Sequence, residues 1–235
     1  MNERILIVDD EADIAKLMQA TLQREGYQNI DIAYSLEQGW HAFTRYQPDL
    51  VLLDVMLPDG EGYELCKKIR TVSHIPILFM SAKTEELDKI LGLAIGGDDY
   101  ISKPFSPKEV AFRVKAHLRR SRYLQIPETT VTEQPPLTVG PFEINSDRTE
   151  ITRNGEVLDL TVKELGLLVQ FLTNPNRILS KETLFERVWD EAFFGSDNTV
   201  MVHIRRLREK IEQDPSQPQY LITVKGLGYK FMLPK

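Results

Sequence analysis

Five polar side chains stand directly after short apolar runs. Asp9 and Asp10 follow residues 5–8, Asp54 follows 50–53, Ser81 follows 75–80, and Lys103 lies just past Tyr100-Ile101. Three carboxylates held close repel one another unless a cation joins them, and hard oxygen donors with room for water suit Mg2+. A lysine adds a fixed positive charge and a serine a hydroxyl. Cation, ammonium and hydroxyl around an attacking carboxylate make a pocket for a phosphoryl group, because phosphoryl transfer is catalysed mostly by positioning and charge neutralisation. Singly these residues are ordinary: an aspartate after a strand is usually a turn residue or a helix cap. The joint pattern, five residues at four strand ends, is what points to a site.

The elements that must position them are legible in residues 1–121. Apolar runs of strand length alternate with stretches of helical period, for example Ile14, Leu17, Met18 and Leu22. Residues 50–53 are apolar throughout, as expected of a strand covered on both faces. Five β–α units predict an α/β fold, a five-stranded doubly wound parallel sheet of the flavodoxin-like kind. Such sheets place their sites at the carboxyl ends of strands, near the switch point.

Composition bounds the rest. The 235 residues carry a net charge of −6, so the chain as a whole is not a basic nucleic-acid binder. The one cysteine, Cys66, cannot form an internal disulfide, which fits a reducing compartment. The N-terminus does not read as a signal peptide, and residues 50–57, broken by Asp54, are too short to span a bilayer. A soluble, cytoplasmic protein with no membrane partner is expected. Residues 122–136 lack an apolar period and contain Pro127, Pro135 and Pro136, which reads as a linker.

Residues 137–235 read as a second fold. Short strands precede a capping box at Thr161-Val162-Lys163-Glu164, Ser180 caps a second helix, and a third starts near Asn198. Gly226-Leu227-Gly228-Tyr229 marks a terminal hairpin. Strands, three helices and a hairpin describe a winged helix-turn-helix domain. On the third helix Val200, Ile204, Leu207 and Ile211 form one buried stripe. Spacing by 100° puts Asn198, Val202, Arg205, Arg206 and Glu209 opposite it, with Met201 and Arg208 on one flank and His203 and Lys210 on the other. A basic helix face is more often merely solvated than a nucleic-acid surface, so composition alone leaves its role open.

Val8-Asp9-Asp10-Glu11, Leu53-Asp54-Val55-Met56-Leu57-Pro58, Met80-Ser81-Ala82-Lys83 and Gly97-Asp98-Asp99-Tyr100-Ile101-Ser102-Lys103-Pro104-Phe105 resemble the receiver domains of two-component response regulators. The resemblance implies that Asp54 accepts phosphate from a histidine kinase. Asp9, Asp10, Asp54 and the backbone carbonyl of Met56 would hold Mg2+, with Ser81 and Tyr100 as a switch pair that turns inward on phosphorylation. It also implies a cis bond before Pro104. Lys89, Asp98, Asp99, Glu109, Arg113 and Arg120 resemble the charged residues that pair across a homodimer in the OmpR/PhoB subfamily. Gly97 departs from the alanine more common there.

Leu160-Thr161-Val162-Lys163-Glu164, the stretch from Asn198 to Lys210, and Thr223-Val224-Lys225-Gly226-Leu227-Gly228-Tyr229 resemble the winged-helix effector domain of the same subfamily. This implies promoter DNA as partner. Asn198 and Thr199 open the recognition helix, Val202, Arg205 and Arg206 approach the major groove, and His203 and Arg208 meet phosphates. Lys225 would reach the minor groove, and residues 190–197 would face RNA polymerase. Asn198 stands where arginine is usual, Met201 where aspartate is, and Lys225 where arginine is frequent, which leaves the operator sequence open.

An aspartate-based phosphatase shares a nucleophile after a strand, but the place of its second, acidic aspartate is taken here by Met56. A regulator that works without phosphate and a purely architectural DNA-bending protein are the other readings. Neither requires the full set of acids, serine and lysine.

Overall fold

The computed structural model describes residues 2–82, 86–123, 137–145, 150–189 and 198–233. It divides into two compact units, residues 1–118 and 119–235. Most of the linker predicted at 122–136 lies outside the described residues.

In the first unit β1 (Arg4–Val8), α1 (Ala12–Arg24), β2 (Asn29–Ala33), α2 (Leu36–Tyr46) and β3 (Leu50–Asp54) are followed by a two-strand turn, β4 (Met56–Leu57) and β5 (Gly60–Glu61). Then come α3 (Gly62–Arg70), β6 (Ile77–Ser81), α4 (Glu86–Ile95), β7 (Asp99–Ser102) and α5 (Pro107–Tyr123). The large sheet is parallel, in the order β2-β1-β3-β6-β7. Strand side chains alternate between faces, and the two cores follow that alternation. Ile5, Ile7, Leu50, Leu52, Leu78, Met80 and Ile101 pack with Met18, Leu22, Val110 and Val114 of α1 and α5. Leu6, Val8, Val51, Leu53, Ile77, Phe79 and Tyr100 pack with Phe43, Leu65 and Ile69 of α2 and α3. The strands read as unbroken apolar runs because each residue serves one core or the other. Chain order reverses beside β1, so the ends of β1 and β3 flank the switch point.

Two polar fixtures hold this unit in shape. Asp59, in the turn between β4 and β5, accepts from the N–H groups of Leu36 and Glu37 at the start of α2, where Ser35 also caps. Arg70 donates to the carbonyls of Gly96 and Ile75 and, at 2.7 Å, to Asp98 Oδ2, which also accepts from the Ile77 N–H. This corrects the assignment of Asp98 to a dimer surface: its carboxylate is fully buried, tying the end of α3 to the entries of β6 and β7. We expect Asp98→Asn, which weakens a charged hydrogen bond inside the protein, to lower stability by about 1–3 kcal/mol. Urea unfolding of the full chain checks this, and an unchanged midpoint would defeat the assignment.

The second unit opens with an antiparallel sheet of β8 (Leu137–Val139), β9 (Phe142–Asn145), β10 (Glu150–Arg153) and β11 (Glu156–Val157). Next are α6 (Val162–Leu172), β12 (Ile178–Leu179), α7 (Lys181–Trp189), α8 (Asn198–Ile211), β13 (Leu221–Val224) and β14 (Gly228–Phe231). The last two strands form the hairpin, with β12 on the other edge of β14. The predicted capping box is present: Glu164 accepts from the Thr161 N–H, and Thr161 Oγ1 accepts from the Glu164 N–H. Val200, Ile204, Leu207 and Ile211 are buried against Leu167, Leu168 and Phe171 of α6 and Leu184, Val188 and Trp189 of α7.

Candidate functional site

The ends of β1, β3, β6 and β7 bring Asp9, Asp54, Ser81 and Lys103 to one edge of the sheet. Lys103 Nζ lies 2.6 Å from Asp54 Oδ2, 3.1 Å from Asp9 Oδ2 and 3.0 Å from Glu11 Oε1. The other Asp54 oxygen accepts from the Met56 N–H at 3.0 Å, and the other Asp9 oxygen from the Glu11 N–H at 2.9 Å. Gly62 comes close enough that a β-carbon there would strike the Asp54 carbonyl oxygen, so only glycine fits behind the site. Ser81 is fully buried at the end of β6, and its carbonyl accepts from the Lys103 N–H. The Lys103–Pro104 bond is cis.

Electrostatics follow from this packing. Burial pushes the Asp9 carboxyl above its ordinary range, and the Lys103 ammonium only partly offsets that while the neighbouring Asp54 adds to it. Burial alone would lower Lys103, but its ion pairs with Asp54, Glu11 and Asp9 outweigh burial and raise it. Carboxylate oxygens of Asp9, Glu11 and Asp54 all lie within 4.8 Å of one another, a donor set that fits a small divalent cation. Asp10, expected among the ligands, is exposed and outside this group. Glu11, which the sequence reading named only as the last residue of the Val8–Glu11 motif, is inside it, two residues after Asp9. Met56 has an exposed side chain, and Tyr100 is buried in the second core.

The charged face of α5 is engaged within the chain. Arg113 pairs with Asp99 at 2.9 Å and with Glu109 at 3.1 Å, and buried His117 also faces Asp99. Burial alone would raise the Asp99 carboxyl, but Arg113 and His117 hold it well below its usual range. The side chains of Lys89 and Arg120 lie outside the described residues.

The third helix of the second unit departs most from the sequence reading. His203, expected on phosphates, is 0% exposed, its ring 5.1 Å from that of Trp189. Val202, expected toward the groove, is 8% exposed. Arg206 is drawn inward: its guanidinium sits 3.0 Å from the buried Glu164, leaving its side chain 12% exposed. Lys210 reaches the same carboxylate at 2.7 Å and also the Asp159 carbonyl. Arg208 donates to the Leu221 carbonyl and to Thr223 Oγ1, bracing α8 against the hairpin. Thr199 is buried as well. The exposed stripe is therefore rotated toward the flank that carries Met201: Met201 at 44% and Arg205 at 82%, with Glu209 one turn on. A cavity of about 480 Å3 beside it is lined by Lys181, Met201, Thr223, Lys225 and the hairpin turn. Lys181 went unnoticed in the sequence because it lies a full element away from the basic helix. The side chain of Asn198 and the stretch 190–197 lie outside the described residues. Among the described residues no helix is long and apolar enough to cross a membrane.

Comparison with known proteins agrees with both halves. Residues 5–115 match the family model of the response regulator receiver domain, and residues 155–231 that of the C-terminal domain of transcriptional regulatory proteins. The chain is 44% identical over 231 residues to the transcriptional regulatory protein YvrH of Bacillus subtilis (strain 168) and 41% identical over 232 to the response regulator GtcR of Aneurinibacillus migulanus. Each alignment spans 98% of this chain and 96% of the relative. The crystal structure of DrrB, a Thermotoga maritima OmpR/PhoB homolog, is 28% identical, with 99% of this chain and 100% of that one covered and a TM-score of 0.52. Similarity of this extent, with both models matched in the same order, means that the chain belongs to the OmpR/PhoB-type response regulators, a family of phosphorylation-dependent transcription factors rather than enzymes.

Proposed function

We propose that Asp54 is the phosphoacceptor, that it takes phosphate from a histidine kinase, and that the chain then dimerises and binds repeated promoter half-sites. The observation that carries this reading is the Asp54 carboxylate itself, almost buried at the switch point and 2.6 Å from Lys103. Asp9, Glu11 and Asp54 would hold Mg2+, with the Met56 carbonyl and Asp10 as further oxygen donors of the expected set. The cation supplies charge neutralisation at the transferred phosphoryl group. Lys103 steadies the carboxylates and then the phosphoryl oxygens, and Ser81 offers its hydroxyl to the same oxygens. Residues 1–121 form the receiver, 122–136 the linker and 137–235 the effector. Asp99, Glu109 and Arg113, with Lys89 and Arg120, remain the charged candidates for a twofold interface. RNA polymerase is the downstream partner, and the protein acts in the cytoplasm. Light scattering on the purified chain with Mg2+ and beryllofluoride tests this. A shift from monomer to dimer is expected, and an unchanged mass would rule out dimerisation as the output.

DNA contact belongs to the stripe of Met201 and Arg205, with Lys181 and Lys225 beside it and Asn198 at the helix start. Among the described residues Arg205 is paired only with Glu209 on the surface, at 3.4 Å, and surface pairs contribute about 0–1 kcal/mol. Its guanidinium is thus available for a phosphate or a guanine edge. Arg205→Ala should weaken binding to an operator selected from random DNA by about 1–3 kcal/mol and leave the melting temperature unchanged. Equal affinity at fixed salt would remove Arg205 from the interface.

A further inference from the structure

Met201 is an apolar side chain on an otherwise charged stripe. It is 44% exposed and stands one turn of α8 before the exposed Arg205, and residues four apart share a helix face. A lone exposed apolar side chain is ordinary on a protein surface, so its neighbours decide what it does. Met201 lines the cavity between α8, the start of α7 and the hairpin, together with Lys181, Lys225, Thr223 and Leu227. Glu182 is the acid among the lining residues, so the two lysines leave the cavity positive. Cations around a groove-binding helix hold phosphates and fix its position, and sequence is read at the base edges. On the major-groove side those edges carry hydrogen-bond donors and acceptors, which a thioether pairs only weakly. The 5-methyl group of thymine is the apolar feature there. Methionine suits it, because an unbranched chain with three rotatable bonds and a polarizable sulfur adapts its end to a small apolar group. Val202, the next residue of α8, is nearly buried and so does not compete for that contact.

We propose that Met201 reads a thymine, its thioether end packed on the 5-methyl group, and thereby sets the base preference at one operator position. The inference rests on the assignment of DNA contact to the stripe of Met201 and Arg205. Four residues of an α-helix advance about 6 Å, and successive base pairs lie about 3.4 Å apart. The thymine is therefore about two base pairs from the position that Arg205 reads. Taking one methyl group out of water is worth about a fourfold gain in affinity.

The test uses the full chain with Mg2+ and beryllofluoride and a duplex it selects from random DNA. Each thymine of that duplex is replaced in turn by uracil, which deletes the 5-methyl group and leaves every hydrogen-bonding edge in place. Fluorescence anisotropy at fixed salt then gives the affinity of the wild type, of Met201→Ala and of Arg205→Ala. Met201 is exposed, so the alanine variant should fold as the wild type does, and it withdraws the side chain by three atoms. We expect one uracil substitution to weaken the wild type about fourfold and Met201→Ala to bind the thymine and uracil duplexes equally. The sensitive thymine should lie about two base pairs from the position whose preference is relaxed in Arg205→Ala. A wild type indifferent to every uracil overturns the proposal. A penalty that survives in Met201→Ala, or that falls half a DNA turn or more from the Arg205 position, assigns the methyl group to another residue and overturns it too. If Arg205→Ala binds the selected duplex as tightly as the wild type, the reading of the stripe fails at Arg205, and the comparison of thymine with uracil still decides Met201. A chain that enriches no sequence defeats both.

Discussion

With acetyl phosphate and Mg2+, the native chain should gain one phosphoryl group per molecule by intact-mass spectrometry, and an Asp54→Ala chain should gain none. The reaction needs a carboxylate oxygen that can attack phosphorus while the bond from phosphorus to acetate breaks and acetate leaves. Asp9 offers no substitute. It is fully buried, one oxygen holds the Glu11 N–H, and the other holds Lys103. Glu11 meets Lys103 at 3.0 Å, but its side chain is 58% open to solvent, unlike that of Asp54. The loss is therefore complete rather than graded, since a covalent bond has lost its only well-placed oxygen. Stability should change little by comparison: the alanine removes a partner of Lys103 but also the charge that repels Asp9. Equal mass gain in the variant would mean that the phosphoacceptor lies elsewhere.

The gathering of this cluster at one sheet edge was legible for a topological reason. When every strand is an apolar run and all strands are parallel, the first polar residue after each run arrives at the same edge. Residue type and position then suffice to gather Asp9, Asp54, Ser81 and Lys103 without any knowledge of side-chain direction. The finer assignments at the same edge depended on direction and were less secure. Asp10 is exposed and outside the carboxylate group, whereas Glu11, just before α1 begins at Ala12, meets Lys103 at 3.0 Å. Asp98 was lost to a staple whose partner, Arg70, stands 28 residues away with nothing local to announce it. On α8 the 100° spacing located the buried stripe correctly, but a helix wedged between α6 and α7 buries more than one stripe. Trp189 took His203, and Glu164 took Arg206. A signal for the second was present in the sequence: a capping-box glutamate followed by a strongly apolar helix has its carboxylate directed into the domain, where a buried charge requires a cation.

Arg206→Ala is expected to cost the winged-helix domain roughly 3 kcal/mol, and the loss should appear in unfolding rather than in base recognition. Glu164 is fully buried and receives Arg206 at 3.0 Å, Lys210 at 2.7 Å and the Thr161 N–H at 2.9 Å. Removing one partner of a buried ion pair costs about 3–5 kcal/mol, because the remaining charge is left desolvated. Lys210 still faces Glu164 in the variant, which places the effect at the lower end. Burial alone would raise the Glu164 carboxyl, but Arg206 and Lys210 together hold it below its ordinary range. A lowered carboxyl pKa contributes stability that is complete above the unfolded value of about 4.3 and is lost as pH falls through the folded one. The stability gap between native and Arg206→Ala domains should therefore be full at neutral pH and narrow on acidification below about pH 4.3. Urea titrations at pH 7 and pH 3.5 measure it. Arg205→Ala is the counterpart, one residue away with 82% of its side chain open to solvent: it should lose DNA affinity and keep its stability, whereas Arg206→Ala loses stability and, at a temperature where it stays folded, keeps its preference among operator sequences. If Arg206→Ala relaxed sequence preference at one operator position with an unchanged urea midpoint, its guanidinium would have to leave Glu164 on binding DNA, and the carboxylate would then depend on Lys210 alone.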